Sequence, residues 1–241
     1  LTIIGAGFTG LWTALLAKET DPARDIVLIE ASEAAIGATG RNGGFVSASL
    51  THGFENGLKR WPNELANLIR FGHANLDAIE STVTRLPIDC DFERPGELLV
   101  ATEPYQVDHL RARIERVARY GEQLEWIDQA ALKAHIDSPT YLGALLDRSG
   151  TALVNPARLA WGLREVCLKL GVKIFDRTPA IGLAEATDRV TVKTPYGSIR
   201  SKRVALATNA YPPLLNRLSY YVVPVYDYVL MTEPLSDQQR A

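Results

Sequence analysis

Apolar and polar positions change their period several times along the chain, and each change marks an element. Leu1-Thr2-Ile3-Ile4 is a short β-type run that breaks into Gly5-Ala6-Gly7-Phe8-Thr9-Gly10. Leu11, Ala14, Leu15 and Ala17 then recur at helical spacing, which predicts strand, glycine turn and helix to about Thr20. Ile26-Val27-Leu28-Ile29 predicts a second strand ending at Glu30. Small residues dominate from Ala31 to Gly44, so that stretch is a loop whose backbone comes close to something. Leu65, Leu68, Ile69, Leu76, Ile79, Val83 and Leu86 predict a long helix over 63–86, bracketed by Pro62 and Pro87. Ile88 to Phe92 and Glu97 to Ala101 read as strands of a hairpin around Arg94-Pro95-Gly96.

Val107, Leu110, Ile114 and Val117 form the inward stripe of a helix from Pro104 to Tyr120, with Gly121 as its stop. Its outer arginines, Arg111, Arg113, Arg116 and Arg119, stand beside glutamates and read as a solvated face, not as a nucleic-acid stripe. An amphipathic helix is expected over 157–170, after Asn155-Pro156 and before Gly171. Val172 to Phe175, Ala180 to Ala184, Val190 to Thr194 and Ser198 to Ala207 are β-type, the last running into Thr208-Asn209-Ala210. Tyr220 to Thr232 alternates bulky residues and reads as a strand of the inserted domain, with Tyr226 and Tyr228 as candidate substrate-pocket residues.

Length and charge add limits. The chain has 241 residues, 46% of them hydrophobic, and a net charge of −2, so it can bury a sizeable core and has no electrostatic reason to meet nucleic acid or an anionic membrane. No apolar run reaches the roughly 18 residues of a membrane span, and no signal peptide is visible. With only Cys90 and Cys167, both in apolar or mixed segments, reduced thiols and a soluble, cytoplasmic protein are expected. The start at Leu1 and the abrupt stop after Ser236 suggest a part of a longer protein. His52, His73, His109 and His135 lack ligand spacing, no metal site is expected, and neither a GxSxG elbow nor HExxH occurs.

The candidate chemistry sits at the start. Gly5 permits the tight turn, Gly7 lets backbone approach a pyrophosphate, and Gly10 lets the helix lie close to the sheet. The helix N-terminus then offers amides and a positive dipole end to the ligand. Glu30, twenty positions after Gly10, can accept hydrogen bonds from a ribose 2′-hydroxyl and would repel a 2′-phosphate. Arg41, within Thr39-Gly40-Arg41-Asn42-Gly43-Gly44, is suited to clamping a pyrophosphate. The same fingerprint serves NAD, so an NAD-dependent dehydrogenase and a non-catalytic dinucleotide-binding protein stay open on these residues alone.

Gly5 to Gly10, Glu30, the Gly40 to Gly44 loop and Val204-Ala205-Leu206-Ala207-Thr208-Asn209-Ala210 together resemble the flavin-dependent oxidoreductases of the D-amino acid oxidase family. Within that family they resemble the branch of glycine oxidase, sarcosine oxidase and gamma-glutamylputrescine oxidoreductase. The resemblance implies an α/β dinucleotide-binding domain of the glutathione-reductase-like type, residues 1–50 and 150–215. An inserted α+β substrate domain would comprise 51–149 and 216–241. It implies FAD, with Gly5, Ala6, Gly7, Phe8, Thr9, Gly10, Glu30 and Ala31 on the ADP half. Thr39, Gly40, Arg41, Asn42, Gly43 and Gly44 would line the pyrophosphate and approach the flavin, Ala180 would meet adenine through its backbone, and Ala207, Thr208 and Asn209 would pass close to the dinucleotide. The implied reaction is oxidation of a small amine or amino acid, with oxygen or a quinone as acceptor. No catalytic residue is identified. Ala38 to Gly44 holds no His or Cys, so noncovalent FAD is expected.

Overall fold

Strand β1 (Thr2–Ile4) is buried at every position and leads through Gly5 into helix α1 (Phe8–Thr20); β2 (Val27–Ile29) follows. In the computed structural model, which describes residues 1–211 and 214–240, the turn between β1 and α1 is as tight as the glycines predict. Gly5 has φ +106°, and a Cβ there would lie 2.5 Å from the Ala207 carbonyl oxygen. A Cβ on Gly10 would lie 1.9 Å from the Gly5 carbonyl oxygen, so any side chain at this helix position would push α1 off the turn. The 31–44 stretch is irregular apart from one 3₁₀ turn, Ala38–Gly40.

The chain divides into two units: Leu1–Gly43 with Pro156–Ala241, and Gly44–Asn155. The second contains β3 (Phe45–Ser47), α2 (Phe54–Arg60), α3 (Leu65–Arg85), β4 (Glu97–Ala101), α4 (Pro104–Ala118), β5 (Leu124–Asp128), α5 (Gln129–Leu132), β6 (Gly143–Asp147) and β7 (Thr151–Leu153). β6 lies between β4 and β5 in an antiparallel sheet, and β3 pairs antiparallel with β7. Ile127, Ala144 and Leu146 pack with Leu132 on one face of the sheet, while Val117 of α4 packs with Phe54 and Leu65 in a separate cluster.

The hairpin expected around Arg94-Pro95-Gly96 does not form. Ile88 to Phe92 is not a strand, and β4 pairs instead with β6. The backbone of the expected strand is satisfied elsewhere: Asn155 N–H donates to the Cys90 carbonyl at 2.7 Å, and Glu93 bridges Leu153. β3, α2 and β6 have no counterpart among the elements expected from the sequence.

The first unit resumes with α6 (Pro156–Lys169), β8 (Lys173–Phe175), β9 (Gly182–Glu185), β10 (Val190–Thr194), β11 (Gly197–Ser201) and β12 (Val204–Leu206), then a 3₁₀ turn, Asn216–Tyr220, and α7 (Asp237–Arg240). The strand expected over Ser198 to Ala207 is two strands. β11 closes an antiparallel meander with β10 and β9, whereas β12 joins a parallel sheet in the order β12-β1-β2-β8. Val192 of the meander packs with Ile4 and Ile29 on one face of that sheet. On the other, α1 and α6 lie together, and the Cys167 thiol donates to the Leu11 carbonyl at 3.6 Å.

Tyr220 to Thr232, expected as a strand, forms none: Tyr220 closes a 3₁₀ turn, and the stretch after it pairs with no strand among the described residues. Alternation supplies strand propensity, but a strand exists only where a neighbour completes its ladder. No helix among the described residues is long and apolar enough to cross a membrane.

Candidate dinucleotide site

The site lies in the first unit, at the C-terminal ends of β1, β2 and β12. Gly5 N–H donates to the Ile29 carbonyl and Ala207 N–H to the Ile4 carbonyl, both at 2.8 Å, so three strand ends are tied around the turn. A crevice outside the carboxyl ends of parallel strands is where open α/β sheets hold ligands. Here it is a cavity of about 660 Å³.

One wall is the N-terminus of α1. Its first amides have no acceptor within the helix. Phe8 N–H donates to Thr39 Oγ1 at 3.1 Å, and the first bond of the helix runs from Leu11 N–H to the Gly7 carbonyl. The amide of Thr9, which lines the cavity, is left for an anion. Gly7 lines the cavity and also answers to the protein: a Cβ there would sit 2.8 Å from Thr39 Oγ1. Its missing side chain therefore admits the 31–44 loop as well as any ligand.

The opposite wall is Glu30. Ala6 N–H donates to its Oε2 at 2.8 Å and Ser32 N–H to its Oε1 at 3.0 Å, so two backbone amides fix the carboxylate. Each carboxylate oxygen has a further lone pair for a ligand hydroxyl. Glu30 also accepts at its carbonyl from Thr178 N–H, 2.7 Å, which brings Thr178-Pro179-Ala180 to the rim.

Of the candidate residues, Gly5, Gly7, Phe8, Thr9, Glu30, Ala31, Thr39, Asn42, Ala180, Ala207, Thr208 and Asn209 line this cavity. The remaining candidates do not. Ala6 is buried and acts through its amide on Glu30, and Gly10 acts by admitting α1. Gly40 is needed because a Cβ would meet the Ala35 carbonyl oxygen at 2.5 Å. Arg41 is exposed at the end of the 3₁₀ turn and lies outside the cavity lining, as do Gly43, which ends the first unit, and Gly44, which begins the second. Asn42, beside Arg41, closes that turn, its Nδ2 donating to the carbonyls of Ala38 and Thr39. Tyr226 and Tyr228 are exposed, at 80% and 95%, and do not line the cavity.

Ile36, Gly37, Thr178, Pro179, Tyr211 and Leu214 also line the site. Thr178-Pro179 follows a strand and precedes another, a loop signal that could have pointed to it. Tyr211 gives no local signal, and its hydroxyl reaches the site because Gly37 leaves room, 3.2 Å from where a Cβ would stand. Behind α1, burial pushes the Cys167 thiol up to about 12, so it is a neutral packing group.

An orphan amide at a helix N-terminus, a carboxylate fixed at a strand end and glycines where no Cβ fits are a donor set and space that suit the ADP half of a dinucleotide. Residues 1–241 match the family model described as FAD dependent oxidoreductase, and the chain belongs to that family. Among curated proteins it is 33% identical to gamma-glutamylputrescine oxidoreductase of Escherichia coli strain K12, over 98% of this chain and 55% of that protein. It is 30% identical to the probable oxidoreductase OrdL of Haemophilus influenzae, over 97% of this chain and 55% of that one. The chain thus spans about half the length of these relatives. Among solved structures, glycine oxidase from Bacillus cereus shares the fold with a TM-score of 0.73 at 17% identity, covering 91% of this chain and 57% of its own.

Proposed function

We propose that this chain holds FAD noncovalently in the cavity at the β1–α1 turn and forms part of an enzyme that oxidises the carbon–nitrogen bond of a small amine or amino acid. The observation that carries the proposal is the convergence of Glu30, the α1 amides and Ala207-Thr208 on one cavity. Glu30 would hold the ribose hydroxyls, the Thr9 amide at the start of α1 the pyrophosphate, and the backbone at Ala180 the adenine. FAD, when bound, would supply the acceptor for the hydride leaving the carbon next to nitrogen, and the imine would hydrolyse in water. The likeness to gamma-glutamylputrescine oxidoreductase supports an amine substrate. The electron acceptor would be oxygen or a quinone.

The test is the visible spectrum of the purified protein, with chromatography of what acid or heat releases. Released FAD, and bleaching of its absorbance by a member of an amine and amino-acid panel, is the expected result. A colourless full-length protein that is stabilised by NAD and not by FAD would overturn the proposal.

A further inference from the structure

The second unit holds a cavity of its own, about 540 Å³, sharing no lining residue with the dinucleotide cavity. Its floor is one face of the β4-β6-β5 sheet, where the register puts Glu97 beside Asp147 and Leu99 beside Leu145. Over the floor stand His73 of α3 and Arg113 of α4. The loop after β3 forms a wall and is braced within itself: Gly53 N–H donates to Ser49 Oγ at 2.8 Å, and Asn56 Nδ2 donates to the Thr51 carbonyl at 2.6 Å. His52, in this wall, has φ +53°, a left-handed conformation that non-glycine residues seldom keep without surrounding constraint.

The charges in this cavity are unevenly matched. His73 Nε2 donates to Glu122 Oε1 at 2.7 Å, which occupies that carboxylate. Glu97 accepts at Oε2 from Thr151 Oγ1, and Asp147 accepts at Oδ1 from the amides of Ser149 and Gly150. Glu97 Oε1 and Asp147 Oδ2 have no donor among the described residues. Arg113 makes no hydrogen bond or ion pair among them either; its Nε is packed against protein, so its Nη groups are what a ligand in the cavity can reach.

We propose that this cavity binds a small zwitterion with an apolar body, its carboxylate on Arg113 and its ammonium on Glu97 and Asp147. A simple carboxylate on Arg113 would leave Glu97 and Asp147 without a counter-charge. A simple amine would leave the Arg113 guanidinium without a counter-charge. Leu99 and Leu145 suit a short methylene chain between the two charged ends. The proposal is independent of FAD and of turnover.

Calorimetric titration of the purified protein with ε-aminocaproate, caproate and hexylamine tests it. The zwitterion is expected to bind at least about tenfold more tightly than either single-charge analogue, the size of one lost charge-assisted hydrogen bond. Arg113→Gln should reduce ε-aminocaproate to the affinity of hexylamine, and Glu97→Gln should reduce it toward that of caproate. In the unsubstituted protein, which carries no risk of misfolding, the Arg113 Nε–H resonance should shift with the zwitterion and caproate but not with hexylamine. No binding of ε-aminocaproate, equal binding of all three probes, or an unmoved Arg113 resonance would overturn the proposal.

Discussion

Replacing Gly10 by alanine is the sharpest probe of the dinucleotide site, because it changes packing and leaves charge alone. The new Cβ would lie 1.9 Å from the Gly5 carbonyl oxygen, 3.1 Å from its carbon and 3.3 Å from Ile3 Cγ2. The oxygen contact is more than an ångström inside ordinary van der Waals distance, and Gly5 cannot retreat freely, since its N–H is bonded to Ile29. Overpacking costs about 1–3 kcal/mol, and a backbone obstacle puts this case at the upper end. Alanine's better helix propensity offsets about 1 kcal/mol, leaving a net loss of about 2 kcal/mol. For a protein of this size that lowers Tm by about 4–8 °C. Differential scanning calorimetry reads the shift, and flavin fluorescence on titration reads the expected weakening of FAD as the start of α1, with the Thr9 amide, moves. Gly182→Ala is the control: its Cβ would meet only Lys193 Cδ at 3.9 Å, and stability should hold or rise slightly. A Gly10→Ala protein melting at or above the original with FAD affinity intact would refute the close-packing argument.

Glu30→Gln would set an amide NH₂ against the Ala6 or Ser32 N–H, leaving a donor unsatisfied; we expect about 1–3 kcal/mol of destabilisation and at least about tenfold weaker FAD, and unchanged FAD binding would remove Glu30 from the site. Gly72→Ala in α3 would put a Cβ 1.6 Å from the Ala48 carbonyl oxygen; about 3 kcal/mol should be lost by calorimetry, and a gain would mean that α3 does not pack there. Cys167 should escape iodoacetamide in the native protein at about pH 8 and react once unfolded, as peptide mapping would show. Its thiol is raised from 9.0 to about 12, so between those values the folded chain keeps a proton that the unfolded chain has lost. Stability should therefore fall as pH rises through that window, by up to about 1.4 kcal/mol per unit, and Cys167→Ala should flatten the slope.

The sequence by itself determined the elements whose cause is local. Gly5 and Gly10, at their spacing with Gly7, mark a tight strand–turn–helix with no room for side chains against its backbone, and an apolar run ending in Glu30 puts a carboxylate at a strand end. The long helix α3 was legible because 3.6-residue periodicity accumulates over 21 residues. Only the tertiary structure decided what depends on distant partners. Gly7 makes room for Thr39 as well as for a ligand, which becomes visible once the 31–44 loop folds back over α1. The strand partner of β4 is β6, because segment 88–93 gives its backbone bonds to residues 153–155 instead of forming a hairpin. Arg41 carried the right chemistry for a pyrophosphate, yet the 3₁₀ turn leaves it exposed outside the cavity and places Asn42 at the wall. Tyr211 reaches the site, while Tyr226 and Tyr228, equally aromatic in the sequence, stay exposed. Hydrogen-bond closure over long separations fixes these outcomes, and local periodicity carries no information about it.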